Sequence, residues 1–370
     1  VVDRPLFFFG TLLHPPLLEA VLGDVSHVRL SPDRLPGYRV RVVAEGLYPG
    51  LEVDPAACAQ GLRVSGLSAQ NIARLDFYEE CFDYVLRDLE AEDGTPVRVY
   101  FPAIDTLAFE RPWSLADWAR DWGDLSVLAA REVMRYFGIR SPQATGKMFP
   151  MIRARAASTL RAAGTQDAGT GFSGEIEILA HRHPYAHFYA LEEFDLRHRR
   201  FDGTMSPVME RAVFRAVDAA LVLPYDPERD LVLLIEQMRV GPLARGDATC
   251  WSFEPIAGLI DPGETPEQTA RREAREEAGL DLGSLFQVAE AYPSPGNSSE
   301  FHYVFVGFAD LKADVTGIAG VDSENEDIRS HLMPFDALLE ACDRQAIANA
   351  PLVLAAYWLA RHRDRLRAMA

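Results

Sequence analysis

A chain of 370 residues is too long for one ordinary compact domain, so two or three are expected. Its net charge of −18 at pH 7 argues against a partner such as a nucleic-acid duplex or an anionic membrane surface, where neutralising phosphate dominates affinity. With 48 % hydrophobic and 25 % charged residues, the composition is that of a soluble globular protein with sizeable cores.

The basic residues are nearly all arginine, with lysine only at Lys147 and Lys312. Genomic bias is the plain source of that imbalance, but it leaves guanidinium forks, backbone N–H groups or metal to hold any bound phosphate. Cys58, Cys81, Cys250 and Cys342 are scattered without metal-ligand or disulfide spacing, as expected of idle thiols in a reducing compartment. No apolar run is long enough to span a bilayer. Leu6–Leu13 lacks a signal-peptide cleavage pattern, so the expected location is the cytoplasm.

In chain order, residues 5–105 alternate strand-like runs with turns, at 6–13, 38–47 and 96–103. Leu67, Ile72, Leu75 and Tyr78 recur at helical spacing and predict a helix over 67–79. The Trp-, Ala- and Arg-rich segment 113–137 predicts one or two helices that close this unit. The small, polar stretch Ala163–Gly171 suits a linker. The expected division is a first domain over 1–140, a linker over 141–171 and a second domain over 172–370. In the second domain, 220–226 and 231–240 predict two strands joined by a turn. A charged helix at 265–278, strands at 286–292 and 301–308, and a closing helix at 352–368 follow. No internal repeat is visible.

The stretch Gly258–Leu280, GLIDPGETPEQTARREAREEAGL, concentrates the chemistry. Pro262-Gly263 makes a turn, Thr265-Pro266 opens a helix with proline in its first turn, and Gly279 closes it. Glu273 and Glu277 stand four apart and share a face, with Glu276 close by. Such crowded carboxylates form either a solvated acidic face or an oxygen-donor site for Mg2+ or Mn2+. Arg272 is placed to pair with Glu264 and lock the loop onto the helix.

Gly258, Glu264, Arg272, Glu273, Ala274, Glu276, Glu277, Gly279 and Leu280 match the Nudix hydrolase signature at every specified position, and the stretch resembles that family. The resemblance implies an α/β/α sandwich with a mixed sheet that hydrolyses a nucleoside diphosphate linked to a further group. Residues 172–368 are also similar to bacterial ADP-ribose pyrophosphatases. The likeness rests on LVLPYDPERD and LLIEQMRVGP, on Pro295 fifteen residues after the box, on Ser299-Glu300 and on SENEDIR at 323–329. It implies AMP and ribose 5-phosphate as products of ADP-ribose or a related ADP-sugar. Mg2+ or Mn2+ would be held by Glu273, Glu277, Glu326 and the Ala257 carbonyl. Glu276 and Arg272 would complete the catalytic box, and Glu324 would be the general base. Arg239 would hold phosphate and Glu300 would contact the substrate. Phe188 would stack on adenine and Arg211 would reach the nucleotide, both from the partner subunit of a homodimer. Read as residues alone, Phe188 also suits a core aromatic, Arg239 a surface arginine and Glu300 a solvated acid.

Near the start, Phe9-Gly10-Thr11-Leu12 follows an apolar strand and precedes His-Pro-Pro. A glycine there lets backbone N–H groups approach an anion. Together with Leu75-Asp76-Phe77-Tyr78-Glu79-Glu80, Tyr84 and Arg87, this resembles the γ-glutamyl cyclotransferase-like (AIG2-like) family over residues 5–110. The resemblance implies a mixed β-barrel with helices, and a two-domain α/β (α+β) chain. Glu79 would shuttle a proton, and the backbone of Gly10–Leu12 would cradle the substrate's carboxylate. Phe9 stands where that family has tyrosine and Glu80 where it has glycine; Tyr78, Phe82 and Tyr84 also suit core aromatics, and Glu79 also suits an ordinary helix-end carboxylate. Three functions are weighed: a metal-dependent ADP-ribose hydrolase, a γ-glutamyl cyclotransferase, and a non-catalytic ADP-ribose sensor. The pairing of the two domains is similar to bacterial proteins associated with tellurite resistance.

Overall fold

The computed structural model describes residues 4–369 except 45, 47, 104–106, 165–170, 313, 314, 316 and 320–326. The chain divides into two compact units, Val1–Gly164 and Thr165–Ala370. No helix among the described residues is long and apolar enough to cross a membrane.

The first unit is built on a mixed sheet of β1 (Leu6–Phe8), β2 (Arg29–Val43), β3 (Pro49–Ser65), β4 (Tyr84–Glu90), β5 (Pro96–Pro102) and β6 (Phe109–Pro112), in the order β4-β5-β1-β3-β2-β6. β1 pairs antiparallel to β3 and parallel to β5. Its residues Leu6, Phe7 and Phe8 are all buried, which is why the run is apolar on both faces. The strand expected over 6–13 ends at Phe8, and a single 3-10 turn, Thr11–Leu13, follows Gly10. The long β2–β3 ladder is broken by a bulge between Pro36 and Tyr38, where Gly37 takes φ +82°.

Helices α1 (Pro15–Leu22), α2 (Ala69–Glu80), α3 (Leu115–Trp118), α4 (Asp124–Arg135), α5 (Pro142–Gly146) and α6 (Phe149–Gly164) complete this unit. Ser68 caps α2 through a box with Asn71, whose amide also donates to the carbonyls of Leu22 and Asp24 at the end of α1. Helix occupies most of 141–171, where a linker was expected. The buried residues of α6 include Ala154, Ala156, Ala157, Ser158 and Arg155. Arg155 is 2 % exposed and meets Glu132 of α4 at 2.5 Å. Small residues and a buried cation leave little hydrophobic periodicity, so this core helix is hard to read from sequence.

The second unit opens with an antiparallel three-stranded sheet of β7 (Ile176–Ala186), β8 (Ala190–His198) and β9 (Met209–Arg215). A mixed eight-stranded sheet follows. Its strands are β10 (Ala219–Asp226), β11 (Leu231–Met238), β12 (Trp251–Glu254), β13 (Ile256–Leu259), β14 (Leu285–Ala291), β15 (His302–Phe308), β16 (Ile318–Ala319) and β17 (Ile328–Pro334). The helices are α7 (Val240–Arg245), α8 (Pro266–Ala278), α9 (Phe335–Asp343) and α10 (Ala350–Arg367).

β10 is buried along its whole length, and its alternate residues enter two separate cores. Leu221, Leu223 and Tyr225 pack with Phe335 and Leu338 of α9 and with Leu352 and Leu359 of α10. Ala220 and Val222 pack with Ala270 and Ala274 of α8. Helices thus cover both faces of the mixed sheet, the α/β/α sandwich that the sequence resemblance implied.

One detail of register positions the site. β10 and β11 pair only at Tyr225–Val232 and Asp226–Leu231. Beyond that the two strands part, and Trp251–Leu259 enters between them. β12 pairs with residues 235–238 of β11, and β13 pairs with residues 219–222 of β10. Pro224 lies where β10 changes partner, the place in a central strand where a missing N–H costs least. The inserted segment delivers Ala257 and Gly258 to the middle of the sheet, directly before the loop into α8.

Candidate active sites

α8 has the ends its sequence prescribes. Thr265 accepts from the Gln268 N–H at 3.2 Å while the Gln268 side chain accepts from the Thr265 N–H at 2.8 Å. Gly279 ends the helix in the left-handed conformation, at φ 62°. Arg272 is the hub of its acidic face. Its guanidinium donates to Glu264 at 3.0 Å through both Nε and Nη2, to Glu273 at 2.6 Å, to Glu276 at 3.0 Å and to the Leu259 carbonyl at 3.2 Å. Burial works against this charge, but the carboxylates, Glu264 foremost, outweigh it and raise the Arg272 pKa. Burial likewise works against the Glu264 carboxylate, yet Arg272 and the Thr269 hydroxyl, 2.7 Å away, hold its pKa below the ordinary range.

Glu277, one turn along from Glu273, is 2 % exposed and accepts from the Ala257 N–H at 3.3 Å. β13 passes close over this face: a Cβ built on Gly258 would lie 1.8 Å from Oε1 of Glu273. Only glycine fits. The structure therefore gathers Glu273, Glu276, Glu277, Arg272 and Ala257 at one place. The donors are carboxylate and carbonyl oxygens. This set fits a hard divalent ion such as Mg2+. Glu324 and Glu326 lie outside the described residues.

Arg239 ends β11 and is clamped by Glu254 of β12, with contacts of 3.1, 3.0 and 2.7 Å. Burial lowers the Arg239 pKa, but Glu254, then Glu277 and Tyr189, outweigh it. Glu254 was not singled out in the sequence; its only signal is an acid at the end of the short run Trp251–Glu254. Tyr189 belongs to the β7–β8 hairpin tip, beside exposed Phe188, so the tip borders Arg239 within one chain. Arg211 on β9 is exposed and donates to the Glu210 carbonyl. Glu300 faces His302 at 3.2 Å. The neighbouring Ser299 ties that loop to β9 through Ala216 and Phe214.

The first unit holds a cavity of about 500 Å3, lined by residues that include Phe9, Thr11, Glu79, Tyr84, Trp122 and Arg153. The 3-10 turn opens onto it. The N–H groups of Thr11 and Leu12 precede the first carbonyl the turn can offer, so they are available to an anion. Glu79, in the last turn of α2, has its pKa pushed up to about 8 by burial and by nearby Asp76. The phenols of Tyr78 and Tyr84 are held protonated by burial and then by Glu79. Arg87 instead lies over the Phe101 ring, 5.0 Å from its centroid. Trp122 lies between α3 and α4, and Phe149 and Arg153 belong to α6; the sequence singled out none of the three. The Arg153 guanidinium sits 5.7 Å over the Trp122 ring.

Comparison with known proteins gives two family matches. The NUDIX domain family matches residues 215–354, and the family described as gamma-glutamyl cyclotransferase, AIG2-like, matches residues 6–120. An ADP-ribose pyrophosphatase of Escherichia coli strain K12 is 39 % identical over 193 residues, which cover 52 % of this chain and 91 % of that protein. An ADP-ribose pyrophosphatase of Haemophilus influenzae is 34 % identical over 187 residues, covering 50 % and 86 %. A GDP-mannose pyrophosphatase of Cronobacter sakazakii is 35 % identical over 145 residues, covering 39 % and 74 %.

Two predictions follow from the geometry. Gly258→Ala should keep the fold but displace Glu273. A misplacement of about 1 Å at reacting groups can cost on the order of 10²-fold, and steady-state hydrolysis by the variant should fall by about that factor. The second concerns Glu79. The native state keeps its proton up to about pH 8, whereas the unfolded chain releases it near the ordinary glutamate value of 4.5. Unfolding then releases a proton, so the stabilising contribution is full below pH 4.5 and is lost as pH rises through 8. Denaturant titrations across that range should show a decline specific to wild type, and Glu79→Gln should flatten it.

Proposed function

We propose that this chain, which belongs to the Nudix hydrolase family, hydrolyses the pyrophosphate of ADP-ribose to AMP and ribose 5-phosphate. The observation that carries the reading is the α8 face, where buried Glu277 stands one turn from Glu273 and Arg272 clamps Glu273 to Glu264. The similar proteins named ADP-ribose pyrophosphatases support the substrate. A pyrophosphate resists attack because its anionic oxygens repel a nucleophile; bound divalent ions supply charge neutralisation and a more acidic water. Glu273, Glu277 and the Ala257 carbonyl would hold those ions, joined by Glu326. Arg272 and Gly258 fix where the Glu273 oxygens lie, with Glu276 on the outer side of the clamp. Glu324 takes the proton of the attacking water as its oxygen bonds to phosphorus and the P–O bond to the bridging oxygen breaks. Arg239, kept in orientation by Glu254, holds a phosphate. Phe188, whose hairpin tip borders Arg239 in the same chain, stacks on adenine; Arg211 and Glu300 contact the substrate, and a homodimer supplies Arg211 across its interface.

The test is nucleoside monophosphate release with Mg2+: AMP from ADP-ribose and ADP-glucose, GMP from GDP-mannose. ADP-ribose should lead in kcat/KM by at least about tenfold, within the range pocket contacts alone provide. Chelator should abolish turnover, and Glu324→Gln should lower kcat by about 10²–10⁴-fold, as loss of a general base does. No hydrolysis of any of these by folded, Mg2+-loaded protein would sink the reading in favour of a sensor that only binds ADP-ribose.

A second reading rests on the first unit's cavity, where Glu79 shares a wall with the N–H groups of Thr11 and Leu12. There the α-amine of a γ-glutamyl compound attacks its own γ-carbonyl. A ring C–N bond forms, the C–N bond to the leaving amine breaks, and Glu79 passes the proton between the two nitrogens. Chromatography of reactions with γ-glutamyl amines and peptides should detect 5-oxoproline with wild type and none with Glu79→Gln. Absence of 5-oxoproline with wild type across the panel rejects cyclotransfer.

A further inference from the structure

On the face of the three-stranded sheet, His181, His183 and Glu192 bring one ligand atom each within 4.8 Å of one another. We propose that they bind a borderline divalent ion of the Zn2+ class, at a site separate from the carboxylates of α8.

The local sequence explains the convergence. His181 and His183 are two apart on β7, so a strand points both to one face. Residues 181 and 182 pair with 194 and 193, and residues 185 and 186 with 191 and 190. His183 and Pro184 therefore face Glu192 alone, which is a β-bulge. Pro184 has no N–H to offer a ladder and belongs at such a place. The bulge turns His183 back toward Glu192.

The distances suit a metal. Nε2 of His181 lies 2.9 Å from Oε2 of Glu192, and Nδ1 of His183 lies 3.9 Å from Oε1. Bonds of about 2.0–2.1 Å to a tetrahedral Zn2+ place ligand atoms about 3.3–3.4 Å apart, between those two values. Small side-chain rotations admit the ion. The His181 ring is stacked on Phe194 at 4.1 Å, which limits its freedom before binding. All three side chains retain some exposure, at 32 %, 22 % and 14 %, so an ion has an entry path and water has the fourth position. Two imidazoles select against Mg2+, whose preference is oxygen. The Arg215 guanidinium, 3.8 Å from Oε1 of Glu192, shares the carboxylate and moderates the affinity. Because its ligands come from both strands, the ion staples the β7–β8 hairpin that ends in Phe188 and Tyr189.

The experiment uses the full chain with excess Mg2+, so that the oxygen-donor cluster of α8 does not take the probe. Co2+ is titrated and followed by its visible d–d bands, and Zn2+ displaces it. One equivalent should bind with absorption diagnostic of low coordination number. His181→Ala and His183→Ala should each abolish the band, and Glu192→Gln should weaken binding by at least about tenfold. Glu273→Gln should leave it unchanged, and Arg215→Ala should tighten it. Hydrogen exchange gives a second readout: Zn2+ should slow exchange in residues 176–198 of wild type and not of His183→Ala. Absence of the band in wild type, or its persistence in both histidine variants, overturns the proposal.

Discussion

At Gly258 the backbone of β13 runs so close to α8 that a single methyl group would overlap the Glu273 carboxylate. Much of the second unit serves that approach. β10 and β11 must part for β12 and β13 to enter. Helices must cover both faces of the resulting sheet, because β10 is then apolar on both. The segment between β13 and α8 must turn within a few residues, and the bond from Thr269 to Glu264 together with the capping box fixes that turn. The site is rigid because each part of it is also a part of the fold.

The two units handle carboxylates in opposite ways. In the second, arginines are set among them: Arg272 within Glu264, Glu273 and Glu276, and Arg239 against Glu254. Each guanidinium is partly buried and its charge is secured by several acids, while Glu264 is kept ionised. Carboxylates treated this way are held in defined positions by their arginine partners. In the first unit, burial and Asp76 favour the neutral form of Glu79 to about pH 8. A carboxyl poised there exchanges protons near neutrality, which is the property acid–base work requires. The chemistry of each unit follows from what surrounds its acids more than from their number.

How much could be read without the fold varies by element. β5, α2, α8 and α10 sit close to their expected bounds because each has a strong period and clear ends. β3 was missed: VDPAACAQGL has poor strand propensity, and it is extended because β2 pairs with it over nearly its whole length. Helix α6 was missed because its buried face is alanine, serine and an arginine held by Glu132. Both cases are tertiary contacts overriding a weak local signal.

The sequence alone determined the α8 box, since nine residue types at fixed spacing encode a helix, its caps and a shared acidic face within one local segment. It also marked Glu79 and the glycine loop through short motifs. It could not determine that Glu254 would clamp Arg239, that Trp122 and Arg153 would wall the N-terminal cavity, or that Pro184 would turn His183 onto Glu192. Those partners lie on different elements. Only strand register and helix packing bring such residues within a few ångströms, and the chain's local preferences contain no record of that pairing.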